Sequence, residues 1–181
     1  MPTATQRDLR PKPVVDAFGY TWGTTNMYLP SQYCKPTPQQ LGTFDRIIIA
    51  DCLWMASQHV NLVKTILAYL SLPPLSSCSR SEDSCALVVA GFYTGRSIVR
   101  HFFQVATGEW KDQDQESTGN SHGTEEERED QELSSVQGRL KAVEIFEVDV
   151  NGTRRPWVPV RLGENKEQAK RWCVCAVLVK R

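Results

Sequence analysis

Three consecutive isoleucines, Ile47-Ile48-Ile49, lie inside the stretch FDRIIIADCLW at 44–54, and no other feature narrows the fold as much. β-branched side chains lose rotamer freedom in a helix and fit a pleated strand. An apolar run without polar alternation predicts a strand buried on both faces, as in parallel sheets. CALVVAG at 85–91 is a second run of this kind, ending at Gly91. Between the two, residues 57–70 place His59, Leu62, Val63, Ile66, Leu67 and Leu70 at helical spacing. Ser57 is the expected N-cap of that helix, and Pro73-Pro74 its stop. Thr94-Gly95-Arg96 then leads into a second helix, with Val99, Phe102, Phe103 and Ala106 along one side. Strand, helix, strand, helix predicts βαβ units with right-handed crossovers. Residues 143–150, a turn at Asn151-Gly152 and residues 172–179 add two more strands. The link between these last two lacks a clear helical pattern, so one of them is expected to run antiparallel. The fold class is α/β.

The charge balance supports a folded domain with an acidic interruption. The chain has 21 basic and 21 acidic side chains, but ten of the acidic and only two of the basic ones lie within 109–132. Nineteen basic against eleven acidic residues remain elsewhere. A balanced whole, with no motif interleaving aromatic and basic residues, does not point to nucleic acid as a partner. Residues 107–138 are rich in Gln, Asp, Glu, Ser and Gly. Such a segment cannot offset its ordering entropy by burial, which predicts a disordered acidic insertion. The polar, proline-bearing residues 1–13 are expected to be disordered too, with the domain running over 14–181. MPTATQRDLRPKP has no apolar core, so no secretory signal is read there. The longest apolar runs are far too short to span a bilayer. Six cysteines, at 34, 52, 78, 85, 173 and 175, form no CxxC pair and are expected to stay reduced. The expected location is the cytoplasm, with the nucleus as the alternative.

Ligands of open α/β sheets bind outside the carboxyl ends of the strands. Two stretches qualify: Ala50-Asp51-Cys52-Leu53-Trp54 and Gly91-Phe92-Tyr93-Thr94-Gly95-Arg96. Asp51 can orient an amine or accept from substrate N–H groups; a loop or helix-capping carboxylate is the other reading. Trp54 reads either as core or as a platform for a ligand. His59, His101 and His122 are not expected to cluster, and no ligand spacing for a metal is present. A nucleophile elbow and phosphate-cradling glycine motifs are absent, which weighs against hydrolase, kinase and nucleotide-oxidoreductase chemistry.

Four ordered blocks carry a resemblance. They are GYTWG at 19–23, FDRIIIADCLWMASQHVNLVKTI at 44–66, LVVAGFYTGRSIVRHFF at 87–103, and VDVNGTRRPWVPVR at 148–161 followed by KRWCVCAVLVKR at 170–181. Together they resemble the fungal nicotinamide N-methyltransferase-like proteins. That group belongs to the lysine-methyltransferase-like branch of the seven-strand S-adenosylmethionine (SAM) methyltransferases. The resemblance implies a partial Rossmann-like sheet, these elements being its fourth to seventh strands, without the glycine-rich cofactor-binding half. It implies SAM as cofactor and methyl transfer to a nitrogen of a protein or small-molecule acceptor, driven by positioning and desolvation. Trp22 and Gly23 match the turn whose tryptophan packs beside the cofactor adenine, a role suited to a flat aromatic face. Ala50 and Asp51 match the strand-end pair lining the cofactor and acceptor cleft. Asp51 and Trp54 are the candidates for chemistry, standing where lysine enzymes of the branch carry Asp-x-x-Tyr; Trp54 brings no hydroxyl. Only thirteen residues, none of them glycine, precede the short apolar stub at 14–18. The alternative expectation is therefore a non-catalytic remnant or binding module. Without the family's first strand beside it, the strand at 46–52 is expected to offer an open edge for self-association.

Overall fold

The computed structural model describes residues 19–24, 27–28, 41–72, 84–109 and 124–181. The stub at 14–18, the segment 1–13, Cys34, Cys78 and His122 lie outside the described residues. A short hairpin comes first, β1 (Gly19–Tyr20) against β2 (Met27–Tyr28). Then follow β3 (Arg46–Ala50), α1 (His59–Tyr69), β4 (Cys85–Gly91), α2 (Arg96–Thr107) and α3 (Thr124–Val136). The chain ends with β5 (Leu140–Asp149), β6 (Arg154–Pro156), α4 (Lys166–Ala169) and β7 (Trp172–Lys180).

Five strands make one open mixed sheet in the order β3-β4-β7-β5-β6. β3 and β4 are parallel, with Ile48 opposite Leu87. β7 is antiparallel to both β4 and β5, pairing Val177 with Leu87 on one side and with Glu144 on the other. The expected antiparallel strand is thus β7, inserted between β4 and β5. The α/β class and the order β3, α1, β4, α2 are as the sequence predicts.

The two main helices form where the apolar spacing places them. His59, Leu62, Val63 and Ile66 of α1 are buried, as are Val99, Phe102, Phe103 and Ala106 of α2. Gly108 ends α2 in a left-handed conformation (φ 74°), its N–H bonded to the Gln104 carbonyl, where a side chain would be strained. Ser57 is not the cap of α1. The helix is entered through a 3-10 turn at Ala56–Gln58, and its N-cap Gln58 makes no side-chain capping bond.

The sheet departs from the expected burial on both faces. Buried positions alternate: Ile49 in β3, Ala86, Val88 and Ala90 in β4, and Val174, Ala176 and Leu178 in β7 join the core with α1 and α2. On the opposite face Ile48 is 71% exposed and Leu87 38%. An unbroken apolar run does not reveal how many layers cover it, and the described helices supply one. The acidic segment also differs from expectation. Residues 110–123 lie outside the described residues, but 124–136 is helical, rejoining the domain through buried Val136 and half-buried Leu133. These two residues sit three apart on one helix face, and Lys64 of α1 holds Glu132 at 2.8 Å. Mean composition conceals so small an apolar stripe. No helix among the described residues is long and apolar enough to cross a membrane.

Candidate functional site

β3 and β4 end side by side, and the two stretches singled out from the sequence meet there. Asp51 extends the ladder by one bond, its N–H donating to the Val89 carbonyl at 2.7 Å. Its φ of 55° then turns the chain sharply, the one positive φ of a non-glycine residue among those described. Aspartate tolerates that region better than a bulky residue does, yet the conformation is uncommon and marks strand-end turns that present side chains. Tyr93 follows the end of β4, and interaction with the Asp51 carboxylate raises its pKa above the usual phenol range. Burial, and then the Asp51 charge, raise the thiol pKa values of Cys52 and Cys173. Cys173 at the start of β7 therefore lies within the field of the same carboxylate. Trp54 is 52% exposed and Tyr93 51%. Trp54 is thus not core.

What holds this loop is a histidine pair. Leu53 is buried, and its carbonyl lies 2.9 Å from His59 Nε2. A carbonyl only accepts, so Nε2 carries the proton and Nδ1 of His59 is an acceptor. His101 Nδ1, 2.8 Å away on α2, is then the donor to it. Burial foremost, with His101 adding to it against the Leu53 bond, lowers the His59 pKa to about 4. Burial lowers His101 as well. The expectation that the histidines stand apart is corrected here: His59 and His101 are 42 residues apart but touch where α1 packs on α2.

Trp22 and Gly23 are tied to α1. The Gly23 N–H donates to Thr65 Oγ1 at 3.0 Å, and the Tyr20 hydroxyl also reaches Thr65. A Cβ on Gly23 would lie 2.5 Å from Asn61 Oδ1. Gly23 is therefore required by packing on the helix, and Trp22 is half-buried against the core.

A second cluster escaped the sequence reading. Glu147 of β5 is fully buried, 0% exposed. It accepts from Arg96 at 2.5 and 3.2 Å and from Arg155 at 2.6 Å, with Arg161 at 3.4 Å. Glu164 accepts from Arg96 at 2.7 Å and Arg155 at 2.5 Å. Burial pushes both carboxyl pKa values up, but the arginine bonds outweigh it and hold them below the usual range. The Arg96 guanidinium also covers Phe92 at 4.1 Å, and Arg155 covers Trp172 at 3.7 Å. The legible signal was three acidic residues in the strand 143–150, Glu144, Glu147 and Asp149, followed closely by Arg154, Arg155 and Arg161. Among the described residues no group of three or more His, Cys, Asp or Glu side chains is placed to hold a metal ion.

No family model, curated protein or solved structure matches this chain.

Proposed function

We propose that the chain belongs to the SAM-dependent N-methyltransferases, serving methyl transfer to a nitrogen of a protein or small-molecule acceptor. The observation that carries this reading is the Asp51 turn at the carboxyl end of β3, with an exposed tyrosine, Tyr93, within the influence of its carboxylate and an exposed indole at Trp54. A carboxylate at a strand end accepts N–H groups of an amine and orients its lone pair, and exposed aromatic faces favour cationic or planar acceptors. SAM, when bound, supplies the methyl group on a sulfonium. The described residues do not by themselves form its site. The Gly23 N–H is committed to Thr65, Trp22 packs on the core, and no glycine-rich turn follows a strand among them. The cofactor is therefore expected to bind this chain weakly. Incubation with radiolabelled SAM and either nicotinamide or polylysine tests the reading: label should enter an acceptor with the chain and be lost with Asp51→Asn. Equal incorporation by the variant would sink it.

The second reading, a binding module derived from the same fold, is favoured by the bare face of the sheet. Ile48, Leu87 and Val143 are exposed there, and β3 has no neighbour on its outer side among the described residues. Titration with S-adenosylhomocysteine separates the two. Saturable binding supports the enzyme, and a silent titration up to millimolar ligand supports the module.

A further inference from the structure

The sheet register brings three strand ends together. Asp51 lies just past β3, Gly91 closes β4, and Cys173 near the start of β7 stands opposite Gly91. The Tyr93 ring folds back onto this corner. A Cβ built on Gly91 would lie 3.0 Å from Cδ1 and 3.3 Å from Cε1 of that ring. Glycine lets the ring rest this close to the backbone, where any side chain would press against it. Seated there, Tyr93 keeps about half its surface open.

The electrostatics of the corner have one sign. Asp51 is exposed, and among the described residues no lysine or arginine side chain pairs with it. Asp51 and Cys52 are the groups whose charge acts on the Tyr93 hydroxyl, and both are acids. The Asp51 charge also reaches the thiols of Cys52 and Cys173, adding to burial. Arg96, the first residue of the helix that follows Tyr93, is engaged by Glu147 and Glu164. An unneutralised carboxylate beside an open aromatic face suits an organic cation, because the charge and the negative face of the ring both attract it.

We propose that Asp51 and Tyr93 form a binding site for a substituted ammonium, with Gly91 as the positioning residue that seats the Tyr93 ring. Such a cation carries its charge inside an apolar shell, so it fits this pair better than a neutral amide does. The inference deepens the strand-end reading and rests on Asp51 lining that site, but it needs neither SAM nor methyl transfer. Failure of label transfer with ammonium binding intact would therefore count against the enzyme reading alone.

Chemical-shift titration of the full chain tests it, with choline and separately with the neutral tert-butyl analogue in which carbon replaces nitrogen. Choline should shift the backbone amides of 50–54 and 91–95 saturably, and the neutral analogue should leave them in place. Asp51→Asn should weaken choline binding roughly tenfold, the scale of one charged contact. Tyr93→Leu should weaken it about threefold, the scale of an exposed cation–π contact, whereas Tyr93→Phe keeps the ring and should bind like wild type. Gly91→Val, a residue that strands accept, should push the ring aside and weaken binding as Tyr93→Leu does. Asp130→Asn, which removes an exposed acid on α3, should change nothing. Silence with choline, equal shifts from the neutral analogue, wild-type affinity in Asp51→Asn, or equal affinity in Tyr93→Leu and Tyr93→Phe would each overturn the site. Full affinity in Gly91→Val would overturn the role given to Gly91.

Discussion

Acidification should loosen the domain through His59 before it reaches the carboxylates. His59 is fully buried, with Nε2–H given to Leu53 and Nδ1 accepting from His101. Protonating His59 sets two N–H groups against each other across 2.8 Å unless His101 changes tautomer. Protonating His101 at Nε2 leaves the contact intact. The folded pKa of about 4 lies below the ordinary 6.5, so between those values the unfolded chain binds more protons. Stability is then complete above pH 6.5 and is lost as pH falls toward 4. At 1.36 kcal/mol per unit, the full loss is roughly 3 kcal/mol, and about 2 kcal/mol of it is reached by pH 5. Urea unfolding at pH 7.5 and at pH 5 reads this as a midpoint lowered by about 1 M, given ordinary urea slopes. His59→Phe keeps a ring in the cavity and removes the titration, so its midpoint should change little over the same interval. If wild type and His59→Phe lose stability in parallel from pH 7.5 to pH 5, the reasoning is refuted.

Three other changes test separate contacts. Glu147→Gln removes the charge that Arg96 and Arg155 share in a buried position; a loss of about 3–5 kcal/mol is expected in thermal or urea unfolding, and a loss under 1 kcal/mol would mean the network is freely hydrated. Gly23→Ala places a side chain at φ 82° and against Asn61; it should cost about 1–2 kcal/mol from backbone strain alone, measured the same way. Ile48→Lys puts a charge on the outer strand, where Ile48 is already 71% exposed. It should leave stability within about 0.5 kcal/mol and reduce any self-association seen by size-exclusion chromatography with light scattering. Unchanged association in that variant would show that the β3 edge is not the contact.

Local chemistry was legible in the chain. Isoleucine and valine runs marked β3, β4 and β7, and helical spacing named the buried faces of α1 and α2 before any coordinates. The same reading placed Asp51 and Tyr93 at two strand ends, because strand ends follow from where apolar runs stop. What it missed is set by contacts between distant segments. Arg96 reaches Glu147 across 51 residues and Glu164 across 68, and His59 meets His101 across 42. No periodicity encodes such pairs; a charged or polar side chain looks solvated until the fold removes its water. The number of layers on the sheet was hidden for a related reason. Apolar character shows that a strand tolerates burial on both faces, whereas actual burial depends on which helices pack there, and α1 and α2 cover the face of Ile49 while leaving that of Ile48 open.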